Sequence, residues 1–112
     1  MRIAIPLAEG KLSLHFGHCE QFALVQVDKE SGTIESTEML TPPPHEPGVL
    51  PRWLHEQNAD LILAGGMGMR AQQLFLAQGI QVIVGAPAAT PEALVRALLN
   101  GDLETGPNAC AH

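Results

Sequence analysis

The sequence predicts an α/β fold: a three-layer sandwich around a mixed sheet of about five strands. Three observations carry that expectation. Short apolar runs bounded by turn residues recur along the chain. In the second half they alternate with amphipathic helical patterns, as parallel strands joined by crossovers do. The first half instead offers two strand patterns around one turn, an antiparallel hairpin.

The elements follow in order. Arg2 to Leu7, RIAIPL, suits a central strand, with Pro6 expected to mark its end because proline cannot donate to a ladder. Glu9 to Gly17 reads as a loop. Gln21 to Asp28, QFALVQVD, and Thr33 to Leu40 read as strands around the turn Lys29-Glu30-Ser31-Gly32. Thr41 to Pro47, TPPPHEP, is stiff and extended and cannot be helix interior. A helix is expected from about Gly48 to Gln57, with Val49, Leu50, Trp53 and Leu54 on one face and Pro51 in its first turn. Asp60 to Ala64, DLILA, is apolar enough to be buried on both faces. After Gly65-Gly66-Met67-Gly68, a helix runs from about Met69 to Gln78, with Gly79 at its C′ end. Ile80 to Val84 reads as another buried strand. Thr90-Pro91-Glu92 is a helix start, with a hydroxyl cap, proline at the first position and an acid in the first turn; that helix ends at Asn100-Gly101. One domain over residues 1–105 is expected, followed by a tail over 106–112 that carries Cys110-Ala111-His112.

Composition narrows the function. Of 112 residues, 46% are hydrophobic and 16% charged, a globular balance with an aliphatic core, since there are three Phe, one Trp and no Tyr. The formal net charge is −6, and the six basic residues are scattered from Arg2 to Arg96. Neither nucleic acid nor an anionic membrane surface finds its electrostatic footprint here. No apolar stretch approaches the roughly 20 residues of a membrane span, and the opening MRIAIPLAEGK does not read as a signal peptide. A cytoplasmic setting is expected, with both cysteines as reduced thiols.

Soft ligands concentrate in one stretch. The chain has five His and two Cys, and His15, His18 and Cys19 fall within LHFGHCEQF. Phe16 and Gly17 read as packing and backbone residues. For His15 a hydrogen-bonded structural role ranks ahead of ligation. For His18 and Cys19 ligation stands level with packing, because soft side chains select transition metals. Cys110 and His112, two apart, face the same side of an extended chain and form a chelating pair. Alone, such a pair is a frayed terminus; beside a second Cys/His cluster it gains weight. His45 stands on the proline-stiffened segment, a better platform than a loose loop. His55 reads as a surface residue.

Gly66-Met67-Gly68-Met69-Arg70-Ala71 matches G-x-G-x-x-A between a strand and a helix. The ribose-holding acid expected about 20 residues on is missing; no acid follows until Glu92. What survives is a glycine turn that offers backbone N–H groups to an anion at a helix N-terminus, with Gly66, Met67 and Gly68 as its seat. Met67 and Met69 bring thioethers, with core packing the first role for both. No G-x-S-x-G, H-E-x-x-H or oriented Cys–His nucleophile is evident, and no enzyme is expected.

Taken together, these pieces resemble the dinitrogenase iron–molybdenum cofactor biosynthesis family: NifX proteins, the C-terminal domain of NifB, and small stand-alone relatives. The resemblance spans nearly the whole chain. It rests on Leu14-His15-Phe16-Gly17 before the Phe22 strand, Pro44-His45, Trp53-Leu54 with Asp60-Leu61-Ile62, and Gly65-Gly66-Met67-Gly68 with Ala71 and Gly79-Ile80. It implies a ribonuclease H-like fold without nuclease acids, and a protein that binds or carries an iron–sulfur or molybdenum-containing cluster between a donor and an acceptor protein. An all-cysteine iron–sulfur cluster takes four thiolates, and one chain has two. Histidines complete the set, two chains share a cluster as a homodimer, or few ligands hold a prebuilt cluster loosely. Two further readings stay open: a nucleotide- or small-anion-binding regulatory module built on the Gly66–Gly68 turn, and a mononuclear zinc or copper site.

Overall fold

The computed structural model describes residues 1–14, 19–44, 46 and 48–106. The described residues form six strands and three helices: β1 (Arg2–Ala8), β2 (Lys11–Leu12), β3 (Gln21–Asp28), β4 (Thr33–Leu40), α1 (Val49–Glu56), β5 (Leu61–Leu63), α2 (Met69–Ala77), β6 (Gln81–Ile83) and α3 (Pro91–Asn100). The sheet order is β4-β3-β1-β5-β6, with β2 added beside β1. β3 runs antiparallel to both β1 and β4, whereas β5 is parallel to β1 and β6 to β5. The carboxyl ends of β1, β4, β5 and β6 therefore share one end of the sheet with the amino end of β3.

Alternation along the strands builds two cores. Ile3, Ile5, Leu7, Val25, Val27, Leu61 and Leu63 point to the face that α3 covers through Leu94 and Val95. Ala4, Phe22, Leu24 and Ile62 point to the other, where α1 contributes Leu50 and Leu54 and α2 contributes Phe75. The result is three layers, as the period-2 strands and amphipathic helices require. The helix signals hold in detail: Thr90 accepts a hydrogen bond from the Ala93 amide at 3.3 Å, and Gly79 and Gly101 take φ of +77° and +76° at the ends of α2 and α3.

Three expectations need correction. Pro6 does not end the first strand; β1 continues to Ala8. β5 pairs with β1 only at Ile3 and Ala4, so no acceptor on that side waits for a Pro6 amide, while the Pro6 carbonyl accepts from Ser13 N–H at 2.8 Å. The stretch after Ala8 is not wholly loop. Glu9 and Gly10, with φ of 55° and 80°, make a two-residue turn that folds Lys11–Leu12 back onto β1, and the sheet gains a sixth strand. Finally, β6 is an edge strand, with Gln81 exposed and Val82 and Ile83 only half-buried.

Candidate functional site

Residues on either side of the LHFGHC stretch are hydrogen-bonded to the carboxyl end of β1. Ser13 N–H donates to the Pro6 carbonyl at 2.8 Å, and Glu20 N–H donates to the Leu7 carbonyl at 2.7 Å. Successive carbonyls of a strand point to opposite sides, so Ser13 is held on the β2 side of β1 and Glu20 on the β3 side. Leu14 lies against the glycine turn after β5. A Cβ added to Gly65 would come within 2.9 Å of the Leu14 Cα and 3.1 to 3.2 Å of the Leu14 and Leu12 side chains. Glycine is needed there for close approach of two backbones.

Beyond Gly65 the turn divides its labour. Gly66 is buried, and the Met67 side chain, 1% exposed, belongs to the core between the sheet and α1/α2. That burial makes its thioether a packing group, and the Met67 carbonyl accepts from Gln72 Nε2 at 2.9 Å. Gly68 is exposed and caps α2 in an extended conformation; a Cβ there would meet nothing within 4 Å. Among the described residues nothing covers the amino end of α2 at Gly68, and Met69 beside it is exposed. Such an end carries unpaired N–H groups and a partial positive charge.

The half-buried Cys19 side chain packs on the same core cluster as Met67, Phe22 and Phe75. Burial pushes its thiol above the usual 9.0, partly offset by a hydrogen bond with the Cys19 backbone. A thiol so held is a neutral packing group until a metal displaces its proton. Of the residues expected to ligate metal, Cys19 alone is described; His15, His18, His45, Cys110 and His112 lie outside the described residues. Among the described residues, no three His, Cys, Asp or Glu side chains gather as a metal site. His55 is exposed, as expected, with its Nδ1 3.1 Å from the Gln78 carbonyl. Among the described residues no helix is long and apolar enough to cross a membrane.

The chain's last described segment reaches the same end of the sheet. Gly85 N–H donates to the Gly65 carbonyl at 2.9 Å, and Gly106 N–H donates to the Gly85 carbonyl at 2.7 Å. Sequence reasoning missed both contacts. The one available signal was the glycine two residues after each of β5 and β6, and Gly106 in the tail.

A mixed sheet between helices, with a glycine turn at the carboxyl ends of its parallel strands, defines a class of small three-layer α/β domains. Comparison makes this specific: residues 1–101 match the family described as dinitrogenase iron-molybdenum cofactor, and the chain belongs to that family. An uncharacterized protein of Methanocaldococcus jannaschii is 29% identical over 109 residues, covering 93% of this chain and 90% of that one. The crystal structure of PH0822, 29% identical, superposes with a TM-score of 0.86 over 94% of each chain. The apo form of the orange protein from Desulfovibrio gigas, 24% identical, superposes with a TM-score of 0.72 over 96% of this chain and 93% of that one, a likeness of fold.

Proposed function

We propose that this protein is a non-catalytic binding or carrier protein whose cargo is an iron–sulfur or molybdenum-containing cluster. Family membership supports the accessory role. The observation that carries the reading is the meeting of the LHFGHC stretch and the glycine turn at one end of the sheet, through Leu14 and Gly65. Cys19 packs on the same core as Met67. On this reading Cys19 and His18 ligate from the first stretch and Cys110 and His112 from the tail, with His45 and then His15 as further ligands. Gly66, Met67 and Gly68 form the seat through their backbone, and the open amino end of α2 offsets the charge of an anionic cluster. The ribonuclease H-like description of the fold, a cytoplasmic setting, and delivery to or from a partner protein belong to the same proposal. So does a homodimer, if one chain's ligands fall short.

Anaerobic purification followed by analysis of metal and acid-labile sulfide tests it, before and after reconstitution with iron, molybdate, copper and sulfide. Stoichiometric metal with sulfide, lost in Cys19→Ser, is the expected result. Metal without sulfide would replace it with a mononuclear zinc or copper site. Neither would leave the small-anion module, which the unobstructed Gly68 end of α2 favours.

A further inference from the structure

We propose that the outer edge of β4 is a docking surface for an extended, basic segment of a partner protein, which joins the sheet as a further strand. The inference does not depend on the proposed cargo. β4 ends the sheet on one side, and among the described residues no backbone group pairs with its outer edge. The two edges of the sheet differ. β6 has three residues, and the chain itself returns to that edge, where Gly106 N–H donates to the Gly85 carbonyl at 2.7 Å. β4 has eight residues and carries neither lysine nor proline, the usual guards of an open edge. Its one irregularity lies between Ile34 and Ser36, so residues 36–40 keep a regular register with β3.

The ladder decides which groups are on offer. Val27 N–H donates to the Met1 carbonyl at 2.9 Å, so the odd-numbered residues of β3 turn their backbone groups toward β1. Phe22, Leu24 and Gln26 turn theirs toward β4, where they face Leu40, Glu38 and Ser36. Thr37 and Met39 therefore aim their N–H and C=O groups away from the sheet, as strand addition requires. Side chains set what the added strand carries. Glu38 stands opposite Leu24, on the α1/α2 side; it is exposed, with Arg2 Nη2 at 3.6 Å. Thr37 and Met39 stand opposite Val25 and Ala23, on the α3 side, and both are exposed. A strand laid along this edge meets an acid on one face and a methyl, hydroxyl or thioether on the other. Lysine or arginine alternating with β-branched residues fits that pattern. Charge favours such a partner over a second copy. Residues 28–40 hold Asp28, Glu30, Glu35 and Glu38 against Lys29 alone, in a chain of net charge −6, and two such edges repel.

The experiment titrates the full chain with a short capped peptide in which lysine alternates with valine or threonine, and follows amide exchange by NMR. A matched peptide carries glutamate in place of lysine. In the free monomer, the Thr37 and Met39 amides should exchange at least tenfold faster than those of Glu38 and Leu40, which face β3. The lysine peptide should slow Thr37 and Met39 at least tenfold, and the glutamate peptide should bind at least tenfold more weakly. Thr37→Pro removes an outward donor and spares the donors that face β3. It should keep the fold and weaken the lysine peptide at least tenfold. If that variant does not fold, Glu35→Gln combined with Glu38→Gln reads the charge alone and should weaken the lysine peptide severalfold. Equal affinity for the two peptides would overturn the proposal, as would no saturable binding of the lysine peptide. So would binding that leaves the Thr37 and Met39 amides fast, which puts the peptide elsewhere. Thr37 and Met39 amides already slow in the free protein would overturn it too: in a dimer a second copy holds the edge, and in a monomer the chain covers it.

Discussion

Leu14 fills the space that a side chain on Gly65 would need: its Cα lies 2.9 Å from the position of a Gly65 Cβ. That contact joins the histidine-rich stretch to the turn after β5, and it makes a first prediction. Gly65→Ala should push the two backbones apart and cost about 1–3 kcal/mol, the usual range for overpacking. A lowered urea midpoint with unchanged slope would show it. An unchanged midpoint would mean that the turn and Leu14 yield freely.

Gly68 separates stability from binding. Aspartate is a preferred helix cap, and at Gly68 it would enter open space. Gly68→Asp should leave the thermal midpoint unchanged or raise it slightly. Its charge would stand at the amino end of α2, so affinity for an anionic metal sulfide such as tetrathiomolybdate should fall severalfold. Equal affinity in a titration of the two proteins would remove the glycine turn from the site.

The Cys19 thiol sets a pH dependence. Its folded value is raised above the 9.0 of the unfolded chain, so the folded state holds the proton more tightly. The stability this contributes is complete below pH 9.0 and is lost as pH rises through the folded value. In a Cys110→Ser background, the stability difference between Cys19 and Cys19→Ala should therefore shrink above pH 9.0. Metal uptake at Cys19 releases a proton, so apparent affinity should climb with pH across the neutral range. A flat binding profile from pH 6 to 8 would argue against thiolate ligation.

Phe75 anchors α2 on the sheet and is fully buried. Phe75→Ala should cost about 3–5 kcal/mol, as large-to-small core changes do. Thr90→Ala, which removes a long 3.3 Å cap bond, should cost about 0.5–1 kcal/mol. Denaturant unfolding distinguishes the two, and Thr90→Ala should leave metal uptake unchanged.

Local chemistry was legible in the sequence wherever it depends on nearest neighbours in the chain. The Thr90-Pro91 helix start, the glycine ends of α2 and α3 and the hairpin of β3 and β4 were all readable. These follow from backbone φ, capping and the period of side chains, which act over a few residues. Pro6 misled because whether a missing amide matters depends on which neighbour stands beside it, and that is a property of the sheet. The edge position of β6 was hidden for the same reason. The sequence by itself marked the three helices and every strand but β2, and it singled out Cys19 and the glycine turn as candidate site residues. Only the tertiary structure decided that Leu14 meets Gly65, that Met67 packs in the core whereas Met69, expected there too, is exposed, and that Gly106 returns to Gly85. Those contacts join residues tens of positions apart, and their energy appears only once the whole sheet has brought the strand ends together.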